Sequence, residues 1–288
     1  SELEARRVAG AHGDLALEDL VAEQPSPDDD GTRRDASGLI GDWSGAALDP
    51  ATLAALENID WSRFPKVAND VRLGPCVGAV GKIICIGLNY AEHAAESGMA
   101  SPPEPVMFMK PSSSLAGPND DLHLPPGSEK TDWEVEIAAI IGRPTKAVSE
   151  AEALGAIAGY AVLCDYSERA WQLEGTGQWD KGKGYDGFAP LGPWLATPAE
   201  IEDPQNLGLW LDVNRQRMQD GNTRQMIFGM AALISYVSGF MSLQPGDVIA
   251  TGTPSGVGLG RKPPVYLRRG DIVELGVDGL GQQTQRIC

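Results

Sequence analysis

A mainly β fold of the α+β class is predicted for this 288-residue chain, on three observations. Apolar runs are short and end at Gly, Pro or Asx residues, as strands do. Glycine and proline are abundant, at 35 and 21 residues. Few stretches keep a helical character, Met230 to Met241 being the longest of them. The chain is 42% hydrophobic and 22% charged, enough apolar material for a substantial core without disulfide or metal staples.

Two units are expected, a small acidic N-terminal domain or arm over residues 1–74 and a catalytic β-roll domain over 75–288. Up to Gly74 there are 15 Asp and Glu against 7 Lys and Arg. Pro25 to Gly31 is a loop, and Asp49-Pro50 opens a short helix over ATLAALENI. From Arg72 the texture changes. Lys82 to Gly87 is a buried strand, and Asn89 to Gly98 a short helix or mobile loop. Pro102 to Pro126 is too rich in Pro and Ser for helix. Trp133 to Ile141 is a strand. Glu150 to Tyr160 is a helix capped by Ser149, with Glu152 in the capping-box position. Ala161 to Cys164 is a strand, and Asp165 to Leu173 turns helical. Pro204 to Ala231 gives a strand, a polar turn and a return. Gln244 to Asp247 turns into the strand Val248 to Ala250, and Asp271 to Leu275 and Gln282 to Ile287 close the chain as strands.

The net charge of -17 removes several classes of function. Binding to nucleic acid requires basic surface to displace counterions, and an anionic membrane would repel this chain. A small anionic substrate remains open to it, since a few local cations or a metal can hold one. The cysteines, Cys76, Cys85, Cys164 and Cys288, show no CxxC spacing. No secretion signal or membrane-spanning run is evident, and a cytoplasmic location is expected.

Chemistry concentrates at a few places. Glu134 and Glu136 stand two apart in a strand, so their carboxylates share one face while Trp133, Val135 and Ile137 take the other. Asp165 follows the next apolar strand. Three carboxylates on strand ends suit a hard divalent cation such as Mg2+; they suit equally a solvated strand and a helix-capping Asp. If Asp165 opens a helix, Arg169 and Gln172 follow on its face, either to hold a substrate carboxylate and keto oxygen or merely to pair with Asp165. His93 and Glu96 lie one helical turn apart, as an oriented general base or a surface pair. Lys181 and Lys183 sit in a glycine-spaced loop that could bind an anion or be plain solvated loop. Lys110-Pro111 is similar in kind. Thr251 to Gly258 follows a strand but lacks the GK[ST] ending of a nucleotide loop, leaving a backbone-donor loop that could close over a small carboxylate.

As an ordered set, GLNYAEHAAE, MKPSSSLAGP, WEVEIAAIIGR, CDYSERAWQ, KGKGYDGFAPLGPW and ATGTPSGVGLG resemble the fumarylacetoacetate hydrolase family. The resemblance runs from about Arg72 to the C-terminus. It implies that family's mixed β-sandwich roll with a smaller N-terminal domain. It implies Glu134, Glu136 and Asp165 as ligands of Mg2+ or Mn2+, and His93 with Glu96 as a water-activating dyad on a lid. Lys183 would stabilise developing negative charge, and Arg169, Gln172, Thr253 and Tyr90 would contact substrate. It further implies a homodimer or larger assembly. Within the family, the chain is most similar to hydrolases of 2,4-diketo-3-deoxy sugar acids. That likeness implies metal-dependent C–C cleavage of L-2,4-diketo-3-deoxyrhamnonate to pyruvate and L-lactate. The same scaffold leaves open an oxaloacetate decarboxylase, another acylpyruvate hydrolase, or a non-catalytic 2-oxo-acid binder.

Overall fold

The computed structural model describes residues 4–7, 19–21, 33–56 and 59–288. Expectations for Pro25 to Gly31 and the rest of the first thirty-two residues fall outside them, apart from two strands, Glu4–Arg7 and Asp19–Val21. Strands outweigh helices, as the composition predicts. A nine-stranded mixed sheet has the order Arg34–Asp35, Asp19–Val21, Glu4–Arg7, Leu195–Ala196, Ile157–Cys164, Val135–Ile141, Val248–Ala250, Ile83–Gly87, Val106–Lys110. A four-stranded antiparallel sheet, Gln216–Asn222, Gly208–Val213, Ile272–Val277 and Gly281–Arg286, packs against it.

The centre of the large sheet is buried on both faces, so its strands are apolar at nearly every position instead of alternating. All seven residues of Val135–Ile141 and all eight of Ile157–Cys164 are buried. Successive residues nevertheless serve two different cores, because side chains alternate across a strand. Ile84, Ile86, Val135, Ile137, Ala139 and Val162 face the small sheet, meeting Leu211, Val273 and Leu275. Ile83, Cys85, Ala138, Ile140, Ala161 and Leu163 face the other way, onto Trp43, Leu48, Leu53 and Leu56. Those four residues come from the 3-10 turn Gly45–Leu48, the helix Pro50–Leu56 and the chain just before them, so part of the N-terminal region covers the second face.

The hairpin foreseen within residues 204–231 forms with a two-residue turn, Asn214-Arg215, both at positive φ (52° and 67°). That is the twist a tight antiparallel connection needs, and Asn accepts it readily. Met230–Phe240 is the longest helix among the described residues. No helix among the described residues is long and apolar enough to cross a membrane.

Two expectations need correction. The helix expected over Glu150 to Tyr160 has its capping box, Ser149 Oγ donating to Glu152 Oε2 at 2.6 Å, but ends as α-helix at Ala153. One 3-10 turn follows, and Ile157–Tyr160 already belong to the strand, where pairing with Ala139, Ile140 and Ile141 outweighs local helix propensity. Asp165 does not open a helix; Ser167–Glu168 pair as a short strand and the helix is Arg169–Leu173. The Pro-rich stretch over 102–126 holds no α-helix, as expected, and carries a strand, Val106–Lys110, between its prolines.

Candidate active site

Strand register assembles the acids. Val135 pairs with Cys164 and Glu136 with Leu163, and the Asp165 N–H donates to the Glu134 carbonyl at 2.9 Å. Glu134 and Asp165 are therefore cross-strand neighbours, with Glu136 one step along the same face. Like charges placed so destabilise a sheet unless cations intervene, and cations do. Lys183 Nζ donates to Glu134 Oε2 at 2.7 Å and to Asp165 Oδ2 at 2.8 Å. Lys110 Nζ donates to Asp165 Oδ1 at 2.6 Å and to the Tyr166 carbonyl at 3.2 Å. Arg169 donates from Nη2 to Glu134 Oε1 at 2.8 Å and from Nε to Asp132 Oδ2 at 2.8 Å. All these side chains are buried.

Glu136 is the exception. Its recorded partner is a backbone donor, the Gly252 N–H at 2.8 Å on Oε2, and no Lys or Arg among the described residues forms a salt bridge with it. The electrostatics follow. Burial alone would raise the Glu134 carboxyl, but the Lys183 and Arg169 charges outweigh it and hold the group down at about 2. Glu136 is driven well above the usual carboxylate range, by burial first and then by the Asp165 and Glu134 charges. Burial would lower Lys183, but Asp165 and Glu134 raise it overall.

The residues present fit a divalent cation. One oxygen each from Glu134, Glu136 and Asp165 lies within 4.8 Å of the others, in a buried set of hard donors. Four buried carboxylates, with Asp132 counted, face three cations, leaving one negative charge unmatched beside Glu136. A bound cation would match it.

His93 lies on the helix Ala91–Glu96, with Nδ1 2.9 Å from Glu96 Oε1. A carboxylate there assigns the hydrogen to Nδ1 and leaves Nε2 as the basic nitrogen. The Glu96 carboxylate also accepts the Gly256 N–H, at 3.0 and 2.9 Å, which ties this helix to the loop after Val248–Ala250. The backbone donors foreseen in that loop exist, but here they serve the chain's own carboxylates. Gly252 serves Glu136, Gly256 serves Glu96, and Gly258 and Leu259 serve Asp132. At Gly256 (φ +109°) an added Cβ would fall 2.0 Å from the Met218 carbonyl oxygen. Gly256→Ala is expected to destabilise the fold by about 1–3 kcal/mol and to loosen the Glu96 tie. A lowered melting temperature together with a raised KM would show both effects.

One cleft collects His93, Glu134, Glu136, Arg169, Gln172, Lys183 and Thr253. Gln172 accepts from Arg169 Nη1 at 2.9 Å. Thr253 Oγ1 donates to the Val135 carbonyl and accepts from Gln219 Nε2, at 2.8 and 2.7 Å. Tyr90 borders a neighbouring hollow with Glu92, Asp220 and Pro254, and its buried hydroxyl, which feels the Glu136 charge, has no partner in the structure.

Two sequence readings change here. Arg169 pairs with Asp132 and Glu134, not with Asp165, because Asp165 lies outside the helix. Lys183 and Lys110 are buried ion-pair partners, not solvated loop residues, since Asp180–Lys183 forms one helical turn and Lys110 ends a strand. Asp132 and Gln219 were not foreseen as site residues. The run Asp132, Glu134, Glu136 alternates in one strand direction, and that spacing could have revealed Asp132.

A β-rich scaffold with a buried carboxylate triad, a His–Glu dyad and convergent cations in one cleft defines an enzyme class acting on small molecules. Residues 82–288 match the family described as Fumarylacetoacetate (FAA) hydrolase C-terminal, and the chain belongs to the fumarylacetoacetate hydrolase family. A Burkholderia multivorans protein provisionally named as a hydrolase is 57% identical over 259 residues, covering 90% of this chain and 92% of that one. Fumarylacetoacetate hydrolase from Exiguobacterium antarcticum superposes with a TM-score of 0.84 at 32% identity over 99% of both chains. A structure of 2-hydroxyhepta-2,4-diene-1,7-dioate isomerase from Mycobacterium marinum does so with a TM-score of 0.73 at 31% identity, over 99% of this chain and 98% of that one.

Proposed function

We propose that this protein hydrolyses the C3–C4 bond of a 2,4-diketo acid, releasing pyruvate and a carboxylic acid. The observation that carries the reading is that His93, paired with Glu96, faces the same cleft as Glu134 and Glu136 of the carboxylate triad. Glu134, Glu136 and Asp165 would hold Mg2+ or Mn2+, which supplies Lewis-acid polarisation of the substrate's oxygens. Arg169 and Gln172, already hydrogen-bonded to each other, offer donors to the 1-carboxylate and a keto oxygen. Nε2 of His93 takes a proton from water, and the resulting hydroxide adds to the C4 carbonyl. The tetrahedral centre collapses with cleavage of C3–C4, and the electron pair passes to C3 as the enolate of pyruvate. Lys183, an ammonium at the cleft floor, stabilises that charge. The proton held by His93 returns to C3, giving pyruvate, and C4 departs as a carboxylic acid. Thr253 and the Gly252–Gly256 backbone keep Val135, Glu136 and Glu96 in register for these steps.

The substrate most in keeping with the sequence is L-2,4-diketo-3-deoxyrhamnonate. Purified protein supplied with it and Mg2+ is expected to release pyruvate and L-lactate in equal amounts, and chelator is expected to stop the reaction. Turnover of oxaloacetate, or isomerisation of a dioate, in place of cleavage would discard this substrate.

A further inference from the structure

The geometry points to Gln219 as a positioning residue for the cation site: its side-chain amide fixes the peptide between Glu134 and Glu136 and ties it to the loop that holds Glu96. The inference rests on the reading above for one thing, the assignment of Glu134, Glu136 and Asp165 as cation ligands.

The strand that carries the two glutamates loses its neighbour just before them. Val248–Ala250 pairs with Ala138, Ala139 and Ile140 and stops there. Along that edge Val135 and Ile137 need other partners, because a buried backbone N–H or C=O left unpaired is costly. The Ile137 carbonyl accepts the Thr251 N–H and hydroxyl, at 3.2 and 2.8 Å. The Val135 carbonyl accepts the Thr253 hydroxyl at 2.8 Å. The Val135 N–H donates at 2.9 Å to Gln219 Oε1, which reaches it from the small sheet.

The same amide also grips the loop. Gln219 Nε2 donates to Thr253 Oγ1 at 2.7 Å and to the Pro254 carbonyl at 2.9 Å. The Val135 N–H can only donate and the Pro254 carbonyl can only accept, so the amide has one orientation, with its oxygen and both hydrogens committed. That loop goes on to serve Glu136 through the Gly252 N–H and Glu96 through the Gly256 N–H. One side chain therefore sets the strand of the acids against the loop that tethers the helix of His93.

Gln219 is an unusual occupant of its place in the fold. It lies opposite Leu211 and so shares the face that Leu211 turns into the apolar core. It is fully buried. An amide in such a place is tolerated only when its hydrogen bonds are all made. A β-bulge adjoins it: Leu211 pairs with Gln219 and Asp212 with Arg217, leaving Met218 as the extra residue. The Met218 carbonyl accepts from Arg261 Nη2 at 3.0 Å. Bulges beside active sites serve to re-aim a side chain, and here the side chain is aimed at the peptide that joins two cation ligands.

The test reads cation binding without substrate. Gln219→Met removes the amide, and Gln219→Asn keeps it on an arm one carbon shorter, which cannot reach strand and loop together. Gln283→Asn is the control for damage to a buried amide: Gln283 Nε2 donates to the carbonyls of Val162, Pro190 and Gly192, none of which lines the cleft. Calorimetric titration with Mn2+ is expected to show a loss of affinity of about 10- to 100-fold in Gln219→Met and about tenfold in Gln219→Asn. The electron paramagnetic resonance spectrum of the bound Mn2+ is expected to change in both. Gln283→Asn should melt lower than the parent yet bind Mn2+ with the parent's affinity and spectrum. If Gln219→Met does not fold, Gln219→Asn decides alone. Unchanged affinity and spectrum in Gln219→Asn, or an equal loss in Gln283→Asn, would overturn the positioning role while leaving the cation site intact. A parent that binds no Mn2+ would refute the cation assignment itself and this inference with it.

Discussion

Glu136→Gln is expected to abolish divalent-cation binding and turnover while leaving the cation-free protein more stable than the parent. Both effects have one cause. Glu134 and Asp165 are each paired with cations of the chain, but Glu136 has only the Gly252 N–H. Its burial without a counter-charge is costly in the cation-free protein. The amide oxygen of Gln keeps the Gly252 hydrogen bond, and its NH2 offers hydrogens where a carboxylate repels its neighbours. A gain of about 1–2 kcal/mol in the cation-free state is expected. Removing an outer-shell partner of a metal ligand typically costs 10- to 100-fold in affinity, so losing a ligand should cost at least about 100-fold. Thermal denaturation with and without Mg2+ reads both effects: the parent melts higher with the cation, whereas the variant starts higher and does not respond. A variant that still rises with Mg2+ would remove Glu136 from the metal site.

The distribution of what was legible in the sequence has a physical logic. Strand parity is strict, so Glu134 and Glu136 could be put on one face from spacing alone, and Trp133, Val135 and Ile137 are indeed in the opposite core. His93 and Glu96 are local, one turn apart, and their contact needs no tertiary information. Arg169 was placed on the right short helix but given the wrong partner, because its acids lie more than thirty residues upstream. Lys183 and Lys181 look alike in a glycine-spaced run; only the one-turn helix, packed so that Gly182 touches the Glu168 carbonyl, turns Lys183 inward and leaves Lys181 exposed. The strand that carries Lys110 was hidden by surrounding prolines, although it pairs with Ile83–Gly87 in regular register. The capping box correctly began the helix at Glu150. Its end was missed because IAGYAVLC is an apolar run that fits a buried strand or a buried helix equally, and sheet pairing decides between them.

The second large effect concerns the dyad, and three substitutions divide it. His93→Ala is expected to lower kcat by about 10²–10⁴-fold, the usual worth of a general base, with KM and Mg2+ affinity little changed. The imidazole donates no hydrogen bond into the acid cluster, so its removal leaves the ion pairs of Glu134, Asp165 and Arg169 standing. Glu96→Gln should be milder. Its amide oxygen can still accept the Gly256 N–H, so the helix stays tied to the loop, but the neutral group no longer stabilises a protonated His93. A loss of about 10- to 100-fold confined to kcat follows. Glu96→Ala breaks the tie as well, so it should raise KM in addition to lowering kcat. The ordering matters more than any single value, since an aligned base and a tethered helix are different contributions of one carboxylate. If Glu96→Gln and Glu96→Ala behave alike, the hydrogen bond to Gly256 plays no part in holding the helix over the cleft. If His93→Ala keeps full turnover, the water is activated by another group and the role assigned to the dyad is wrong.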